Sequence, residues 1–467
     1  MKLMMAMAMV CFFTAAQGTV YTVSFNGNPN ADFSDLQAAV NAAVTAGGTH
    51  EIRLQSGQSF NTSVSISISN GTDLTISGGW DSGFVSQTDS YTSTSLYAGA
   101  DLTSYGTSRV LNVNLPDGEL TLHNFAVQRG SNVGFGAGIN AFVNGTSVFN
   151  LTNILLANNF AINTNGATGA GLEVVGFTNS QTNLIGVAIS NNLAESTSST
   201  ISGVGMMARM NNQAQLTVTD SVITRSRSDS PSQVTGLGVF IDANDQTEVT
   251  FTHNYLAQNI NTEAASVVGV NASFWLSEQA VGVIANNDVL AAQNDDTDIS
   301  PNALEQVNLL GRNDSQMWFA NNFIHNADTK GIRSESRDSA VMTLINNTFY
   351  DHDQASVFIT GTSGTRFGNN IMALDNGSNF IHANIQQSNN STADPQLLNV
   401  DEPMIAENSP ARDMGNNNPW PNTLPEFDFY DNNRIGNTGI VDIGAAEVPI
   451  ADEIPIFVTG FEELSDD

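Results

Sequence analysis

Cysteine is nearly absent from this chain of 467 residues, and the one cysteine, Cys11, lies close to the N-terminus. No disulfide can form within one molecule, so the folded protein must be stabilised by its core alone. Basic residues are scarce too, because 14 Lys and Arg stand against 46 Asp and Glu, for a formal net charge of −32. Such a surface repels phosphate backbones, and no Lys/Arg cluster offsets it, so nucleic-acid binding is not expected.

Long apolar segments are also missing after the first 18 residues. The chain begins with Lys2, continues with an apolar stretch from Leu3 to Ala15, and then has small residues up to Gly18. This order predicts a secretory signal peptide over residues 1–18. The apolar stretch is too short for a spanning helix, so we expect a mature chain without a transmembrane segment. The protein is therefore expected to be secreted, extracellular or at the cell surface.

What the sequence does contain is a strand pattern marked by asparagine that returns at an almost constant interval. The marked positions are separated by 29, 33, 34, 34, 33, 35, 25 and 23 residues. They are Asn124, Asn153, Gly186, Asp220, Asn254, Asn287, Asn322, Asn347 and Asn370. A period of this size indicates stacked repeats. The pattern predicts an all-β fold, a right-handed single-stranded parallel β-helix solenoid.

Stacking also explains why asparagine recurs. Asn side chains at one offset of successive coils can pair amide to carbonyl along the axis. Asn also tolerates the left-handed backbone conformation that turns a strand through a corner. We therefore expect an asparagine ladder along the solenoid, interrupted at Gly186.

A second phase of the repeat carries Gly-x-Gly. Its second glycines, Gly138, Gly171, Gly205 and Gly238, are 33, 34 and 33 residues apart. These units lack the third glycine and the following helix of a nucleotide-binding loop. They predict a tight bend that leads into a strand.

The solenoid is expected to be closed at both ends. Residues 19–119 predict an N-terminal cap and early irregular coils, including one amphipathic helix with Asp32 or Ser34 as its N-cap. Regular coils are expected over 120–385. Residues 386–449 are rich in proline, and Trp420, Phe427, Phe429 and Tyr430 are expected to plug the second open end. An acidic tail follows over 450–467.

Two stretches carry a resemblance to a known family. The strand, helix and strand order at the start is similar to the entry of pectate-lyase-like β-helices. SPARDMGN at 409–416 and RIGNTGIVDIGAAE at 434–447 resemble the closing segment of bacterial secreted β-helix proteins of the choice-of-anchor type. The resemblance implies a surface or secreted protein of a Gram-negative bacterium. It also implies a fold that often hosts polysaccharide lyases, hydrolases and esterases.

The residue sets of those hydrolases and esterases are not present together, and the remaining candidates for chemistry lie in the late coils. Weak catalytic candidates are Asp328, Asp351 and Asp353 with Arg333 and Arg337 between them. Carboxylates one coil apart repel unless a proton or cation lies between them. Candidate Ca²⁺ ligands are Asp295, Asp296, Asp298, Asp328 and Asp353. The alternative is that all of these form a solvated acidic turn.

The sequence favours a non-catalytic function. We expect a monomeric solenoid that binds an extracellular polysaccharide or a cell-surface partner, or acts as a structural or adhesive module. The alternative is a Ca²⁺-dependent polysaccharide lyase or a glycoside hydrolase that acts on an acidic polysaccharide. Trp275 is expected on the surface, where it could stack on a sugar, and Trp318 is expected in the core.

Overall fold

The computed structural model describes residues 18–99, 105–163, 166–197, 199–261, 266–290, 305–327, 329–361, 364–418, 420, 426–434 and 440–448. Parallel strands dominate this part of the chain, and most of them pair with the strands one coil before and one coil after, while Leu397–Asn399 and Glu402–Ile405 form a separate antiparallel pair. The protein is an all-β parallel β-helix, as the repeat predicts. No helix within the described ranges has the length and apolar character needed to cross a membrane.

Each regular coil contributes one strand to each of three stacks. Stack 1 holds Ile139–Val143, Leu172–Gly176, Met206–Met210, Val239–Ala243, Ala272–Leu276, Glu305–Gly311, Lys330–Ser336, Val357–Thr360 and Phe380–Ile381. Stack 2 holds Gln181–Ile185, Gln215–Thr219, Glu248–Thr252, Val281–Ala285, Gln316–Ala320, Val341–Ile345, Arg366–Gly368 and Gln386–Ser388. Stack 3 holds Ala188–Ser190, Val222–Thr224, Tyr255–Ala257, Asp288–Leu290, Phe323–Ala327, Thr348–His352 and Ile371–Ala373.

Longer and earlier strands extend these stacks towards the N-terminus. Val64–Trp80, Leu111–Gln128 and Val148–Ala157 bend from one stack into the next, so each pairs with more than one neighbour. Thr19–Val23 and Thr49–Gln55 precede stack 2, and Gln58–Asn61 and Thr94–Tyr97 precede stack 3. Alternate residues of the strands in stacks 1 to 3 and their extensions point inward and form one continuous apolar core along the axis.

The coils from 131 to 268 carry an extra lobe. Stack 4 holds Ser131–Val133, Phe160–Ile162, Leu193–Glu195, Arg227–Asp229 and Ile260–Asn261. Stack 5 holds Ala167–Thr168, Ile201–Ser202, Gln233–Thr235 and Ser266–Val268. From Glu305 onward the described residues add no strand to either stack. The loss of the lobe explains why the repeat shortens to 25 and then 23 residues.

The N-terminal end is covered by the helix Leu36–Ala46, the one α-helix among the described residues. Its buried residues Leu36, Ala39, Val40 and Ala43 join the axial core. Asp35 is the N-cap, because its side chain accepts from the Ala38 N–H at 2.7 Å. The predicted N-caps, Asp32 and Ser34, were therefore wrong by one to three residues. Asp32 instead accepts hydrogen bonds from Thr22, on the first strand.

The asparagine ladder is present in the later coils. Asn254 donates from Nδ2 to Asn287 Oδ1 at 3.0 Å, and the same bond recurs through Asn322, Asn347 and Asn370. Earlier coils differ, because Asn153, Gly186 and Asp220 occupy the corner position one residue before the ladder. The ladder positions there are Ile154, Val187 and Ser221. The predicted alignment was thus one residue out of register from Asn124 to Asp220, and the amide ladder begins at Asn254 instead of being interrupted at Gly186.

The Gly-x-Gly units form the tight bend that the sequence predicts. Gly169 has φ +54°, which places it in the left-handed region that glycine adopts most easily. A Cβ on Gly171 would lie 2.5 Å from the Gly205 carbonyl oxygen and 2.9 Å from Asn192 Nδ2. The second glycine is therefore required by close packing against a second, shorter ladder of buried amides, in which Asn159 donates to Asn192 at 3.1 Å.

The described residues between 414 and 448, which are 414–418, 420, 426–434 and 440–448 and are here termed the flank segment, lie along the side of the later coils. Corner residues of four coils donate from their side-chain amides to its backbone carbonyls: Asn286 to Asp428, Asn321 to Phe427, Asn369 to Asn416 and Asn389 to Met414. These contacts place Phe427 beside the solenoid, and Phe429 packs there in an apolar cluster with Tyr430 at its edge. The segment is irregular, as predicted, and Phe427, Phe429 and Tyr430 lie against the side of the later coils.

Candidate functional site

The candidate residues predicted in the late coils do not share one position. Asp295, Asp296, Asp298 and Asp328 lie outside the described residues. Asp351 and Asp353 lie at the corner that leads from stack 3 to stack 1, and both are exposed. Asp353 accepts a hydrogen bond from Asn376 Nδ2 at 3.1 Å.

The two predicted arginines lie elsewhere. Arg333 points outward from the stack 1 strand Lys330–Ser336, and Arg337 directly follows that strand. Both contact Glu335, at 3.6 Å and 2.6 Å respectively. The structure therefore associates the arginines with a carboxylate of their own strand.

A Ser, His and Asp cluster lies buried beside that corner. His352 Nδ1 is 3.3 Å from Asp375 Oδ1 and 3.2 Å from Ser356 Oγ. A nucleophilic serine needs its base on the imidazole nitrogen opposite the carboxylate. Here Ser356 and Asp375 share the same nitrogen, and Nε2 faces the backbone of Gly331, where a Cβ would lie 2.6 Å away. The cluster has the residue types of a hydrolase but the geometry of a structural contact.

Basic side chains are concentrated on the outward side of stack 1, here termed the stack 1 face. Six of the 14 basic residues of the chain lie on this face or at its edge. They are Arg109, Arg209, Arg312, Lys330, Arg333 and Arg337. On a protein of net charge −32 this gathering of cations sets the face apart from the rest of the surface.

Arg209 lies near the middle of the face, close to the buried carboxyl of Glu173 and the half-buried carboxyl of Asp242. Its Nη1 is 3.5 Å from Glu173 Oε1, and its strand neighbour is Asp242. Glu173 also accepts from Thr168 Oγ1 at 2.9 Å. Burial raises the pKa of Glu173 and of Asp242, and Arg209 acts in the opposite direction on both. The trio is a charge-compensated centre that faces outward.

Aromatic side chains recur along the same face. Phe142 packs against Phe177 at 5.3 Å, Phe240 meets Trp275 edge to face at 4.9 Å, and Phe380 stacks on Phe358 at 4.9 Å. Trp275 lies four strands beyond Phe142, and Phe380 lies four strands beyond Trp275. With about 4.8 Å between strands, each interval is about 19 Å. The rings therefore form three evenly spaced platforms parallel to the axis.

The two predictions about tryptophan have opposite outcomes. Trp275 lies on the surface as expected, half-buried, with the Arg312 guanidinium 5.9 Å from its ring centre. Trp318 was expected in the core, but it points outward from stack 2 while its neighbours Met317 and Phe319 point inward. The alternation within the strand decides this, because the corner at Asn321 fixes which residues face the axis.

Glu305 is the remaining ionisable group near the face, and it is unusual because it is only 1% exposed. Neither of its carboxylate oxygens makes a hydrogen bond of normal geometry within the described part of the chain. Burial raises the pKa of Glu305 to about 7, and Arg333, Lys330 and the Gly269 N–H act in the opposite direction. A carboxyl in this state titrates near neutral pH.

The sequence analysis did not predict the stack 1 face. Glu173, Asp242 and Trp275 occupy outward positions in the Gly-x-Gly phase of the repeat, which the sequence reading treated as a bend alone. A count of charged and aromatic residues at those offsets would have found the site. Among the described residues, no group of three or more His, Asp, Glu or Cys is suited to hold an ion, and four of the five predicted Ca²⁺ ligands lie outside those residues.

The stack 1 face presents cations that can bind a polyanion and aromatic rings that can stack on sugars. Both are distributed along the axis, so the face is long enough for an extended ligand. Comparison with known proteins adds no further guide, because no protein-family model matches the chain and no curated protein is significantly similar to it.

Proposed function

We propose that this protein is a secreted or cell-surface binding protein that holds a linear acidic polysaccharide along the stack 1 face. The observation that carries the proposal is the gathering of six basic side chains on one face of a strongly acidic solenoid. Acidic chains repel the rest of this surface, so the field of the protein directs them to the one face where cations are concentrated.

The aromatic platforms support a polymer in preference to a small ligand. Phe142, Trp275 and Phe380 span about 38 Å, which only an extended chain can bridge. Phe142 and Phe380 are 39% and 44% exposed, so their rings are accessible to a ligand. Arg312 beside Trp275 places a cation next to a stacking surface, which suits a sugar ring that carries a carboxylate.

The location is part of the proposal. The signal-peptide pattern of residues 1–18 and the choice-of-anchor-type segments at 409–416 and 434–447 favour export and surface display. A monomer fits this role, because a long single face needs no second subunit to complete it.

Binding is proposed as the main function and cleavage as the alternative. The pair of carboxyls around Arg209, Glu173 and Asp242, favours the alternative, because glycoside hydrolysis uses two carboxyls, one protonated as the acid and one ionised as the base or nucleophile. The Ca²⁺-dependent version of the alternative depends on Asp295, Asp296, Asp298, Asp328 and Asp353, of which the first four lie outside the described residues.

The test is a binding and product assay on the mature chain, residues 19–467. Polygalacturonate and alginate serve as acidic polymers, and dextran serves as the neutral one. We expect binding to the acidic polymers that weakens with added salt, and no new reducing ends or unsaturated products. Binding to dextran alone would contradict the proposal, and product release would favour the enzyme.

A matched pair of variants locates the site. The double variant Arg312→Gln and Arg333→Gln removes two charges from the stack 1 face and should weaken binding about tenfold or more. The control, Arg225→Gln and Arg227→Gln, removes the same charge next to and within stack 4. Equal loss in both variants would show that net charge, and not this face, governs binding.

A further inference from the structure

Glu305 occupies a position that is apolar in every preceding coil of the lobe. The equivalent residues, two before the first paired residue of each stack 1 strand, are Ala170, Val204, Leu237 and Val270. All four belong to the small apolar cluster between stacks 4 and 5. The Val270 N–H donates to the Glu305 carbonyl oxygen at 3.0 Å, so Glu305 directly follows this apolar series.

A carboxyl at the end of an apolar series is costly to ionise. Its oxygens have no hydrogen-bond partner of normal geometry among the described residues, and no ion pair within 4 Å is formed there. A purely structural role would be served better by another apolar residue, because an unsatisfied buried polar group destabilises the fold. The position therefore calls for a functional explanation.

The charged groups that act on Glu305 belong to the next strand of the stack 1 face. Lys330 is the strand partner of Glu305, and Arg333 lies three residues further on. Lys330 Nζ lies 5.6 Å from the ring of Phe358, and Arg333 is 3.6 Å from Glu335. The residues that face Glu305 from the preceding coil, Gly269 and Val270, carry no charge. Glu305 thus interacts electrostatically with Lys330 and Arg333, two of the cations that the proposed polymer site uses.

We propose that Glu305 is a proton-operated switch for the binding of polyanions on the stack 1 face, an inference that rests on the function proposed above. When the carboxyl is neutral, the charges of Lys330 and Arg333 are available to a bound polymer. When the carboxyl is ionised, it offsets both cations and places a negative charge beneath the polymer. Protonation of Glu305 and binding of the polymer therefore favour each other.

This coupling is reciprocal, as thermodynamic linkage requires. Binding of a polyanion takes up a proton at a pH where Glu305 is partly ionised. The affinity falls as the pH rises from about 6 to about 8, by about fivefold or more. The carboxylates of the polymer titrate well below this range, so they do not contribute to the change.

The test is titration calorimetry of the mature chain with polygalacturonate at pH 7, in two buffers of different ionisation enthalpy. The difference in measured heat gives the number of protons taken up on binding. We expect uptake of up to one proton by the natural chain and none by Glu305→Gln, which keeps the shape but cannot ionise. Glu305→Gln should also bind at pH 8 as tightly as the natural chain binds at pH 6. The control, Glu195→Gln, removes a carboxyl of raised pKa from stack 4 and should retain the uptake.

Two outcomes overturn the inference and separate it from the proposed function. Binding with equal proton uptake in the natural chain and Glu305→Gln overturns the switch and leaves the polymer site intact. Absence of any binding overturns both.

Thermal unfolding without polymer then shows which premise failed. The raised pKa means that the folded state holds a proton that the unfolded state releases between about pH 4.5 and 7, so Glu305 lowers stability as pH rises through that window. Glu305→Leu, which continues the apolar series, should have a higher Tm than the natural chain at pH 8, with a smaller difference at pH 5. An unchanged or lower Tm at pH 8 would contradict the placement of Glu305 in an apolar site.

Discussion

Asn254 and Asn287 form a hydrogen-bonded pair that is repeated between successive coils of the later solenoid. The backbone N–H and the Nδ2 of Asn254 both donate to Oδ1 of Asn287, each at 3.0 Å, while Nδ2 also donates to the Val218 carbonyl. Each amide therefore joins its own coil to the two neighbouring coils. Both side chains are buried, so these bonds form away from water. The ladder fixes the register of the strands, and with it the rows of the stack 1 face.

Removal of one ladder amide should destabilise the protein strongly. Asn322→Ala loses the bonds to Asn347 Oδ1 and to the Ile284 carbonyl, and it removes the Oδ1 that accepts from the backbone N–H and the Nδ2 of Asn287. We expect a loss of about 2–4 kcal/mol in the free energy of unfolding, measured by urea denaturation. Asn183→Ala, which removes a half-exposed outward amide, is the control and should cost less than about 1 kcal/mol. Similar losses in both would contradict the special role of the ladder.

Two glycines should respond to substitution in opposite ways. Gly171→Ala places a methyl group against the Gly205 carbonyl and Asn192, so we expect a lower Tm and a loss of about 1–3 kcal/mol. Gly186 is at φ +61° with nothing within 4 Å of a Cβ, in a corner position that asparagine fills in other coils. Gly186→Asn should therefore be neutral or slightly stabilising. Thermal unfolding of both variants checks the contrast, and a larger loss for Gly186→Asn would refute it.

The flank segment is expected to depend on one buried arginine. Arg434 is fully buried and donates to Glu447 Oε1 at 2.7 Å, to Asn321 Oδ1 at 2.8 Å and to the carbonyls of Gly444 and Ala445. Arg434→Met leaves Glu447 buried without its cation, for an expected loss of about 3–5 kcal/mol. Amide exchange in 426–448 should rise in this variant, because the segment loses its attachment to the solenoid.

The double variant Arg434→Met with Glu447→Leu tests the cause. If the penalty comes from an unpaired buried charge, the double variant should be more stable than Arg434→Met alone. Losses that simply add would show that the two residues act independently, contrary to the contact between them.

Much of the fold could be predicted because one physical cause, stacking, repeats in the sequence. The spacing of Asn254, Asn287, Asn322 and Asn347 gave the solenoid, and the Gly-x-Gly units gave the bends. The alignment of the coils before Asn254 could not be predicted from this spacing. A corner position and a ladder position both favour asparagine, for different reasons, and they are adjacent in the chain. Only the inward packing of Ile154 and Val187 distinguishes them.

The candidate site was harder to predict than the fold. Arg333 and Arg337 were singled out, and both lie at the stack 1 face, but Arg209 and Glu173 were not. Their relation depends on residues 36 positions apart becoming neighbours across strands, and the intervening coil length had to be known first. The burial of Glu305 could not be predicted either, because it follows from the end of the lobe, which periodicity alone does not locate.

The central claim is that the stack 1 face holds an acidic polymer, and hydroxyl-radical footprinting with mass spectrometry tests it most directly. The mature chain is oxidised with and without saturating polygalacturonate, and the oxidation of each aromatic residue is compared. We predict that the polymer protects Phe142, Trp275 and Phe380, while the oxidation of Trp318, which points outward from stack 2, is unchanged. Protection of Trp318 with none at Phe142, Trp275 and Phe380 would contradict the account.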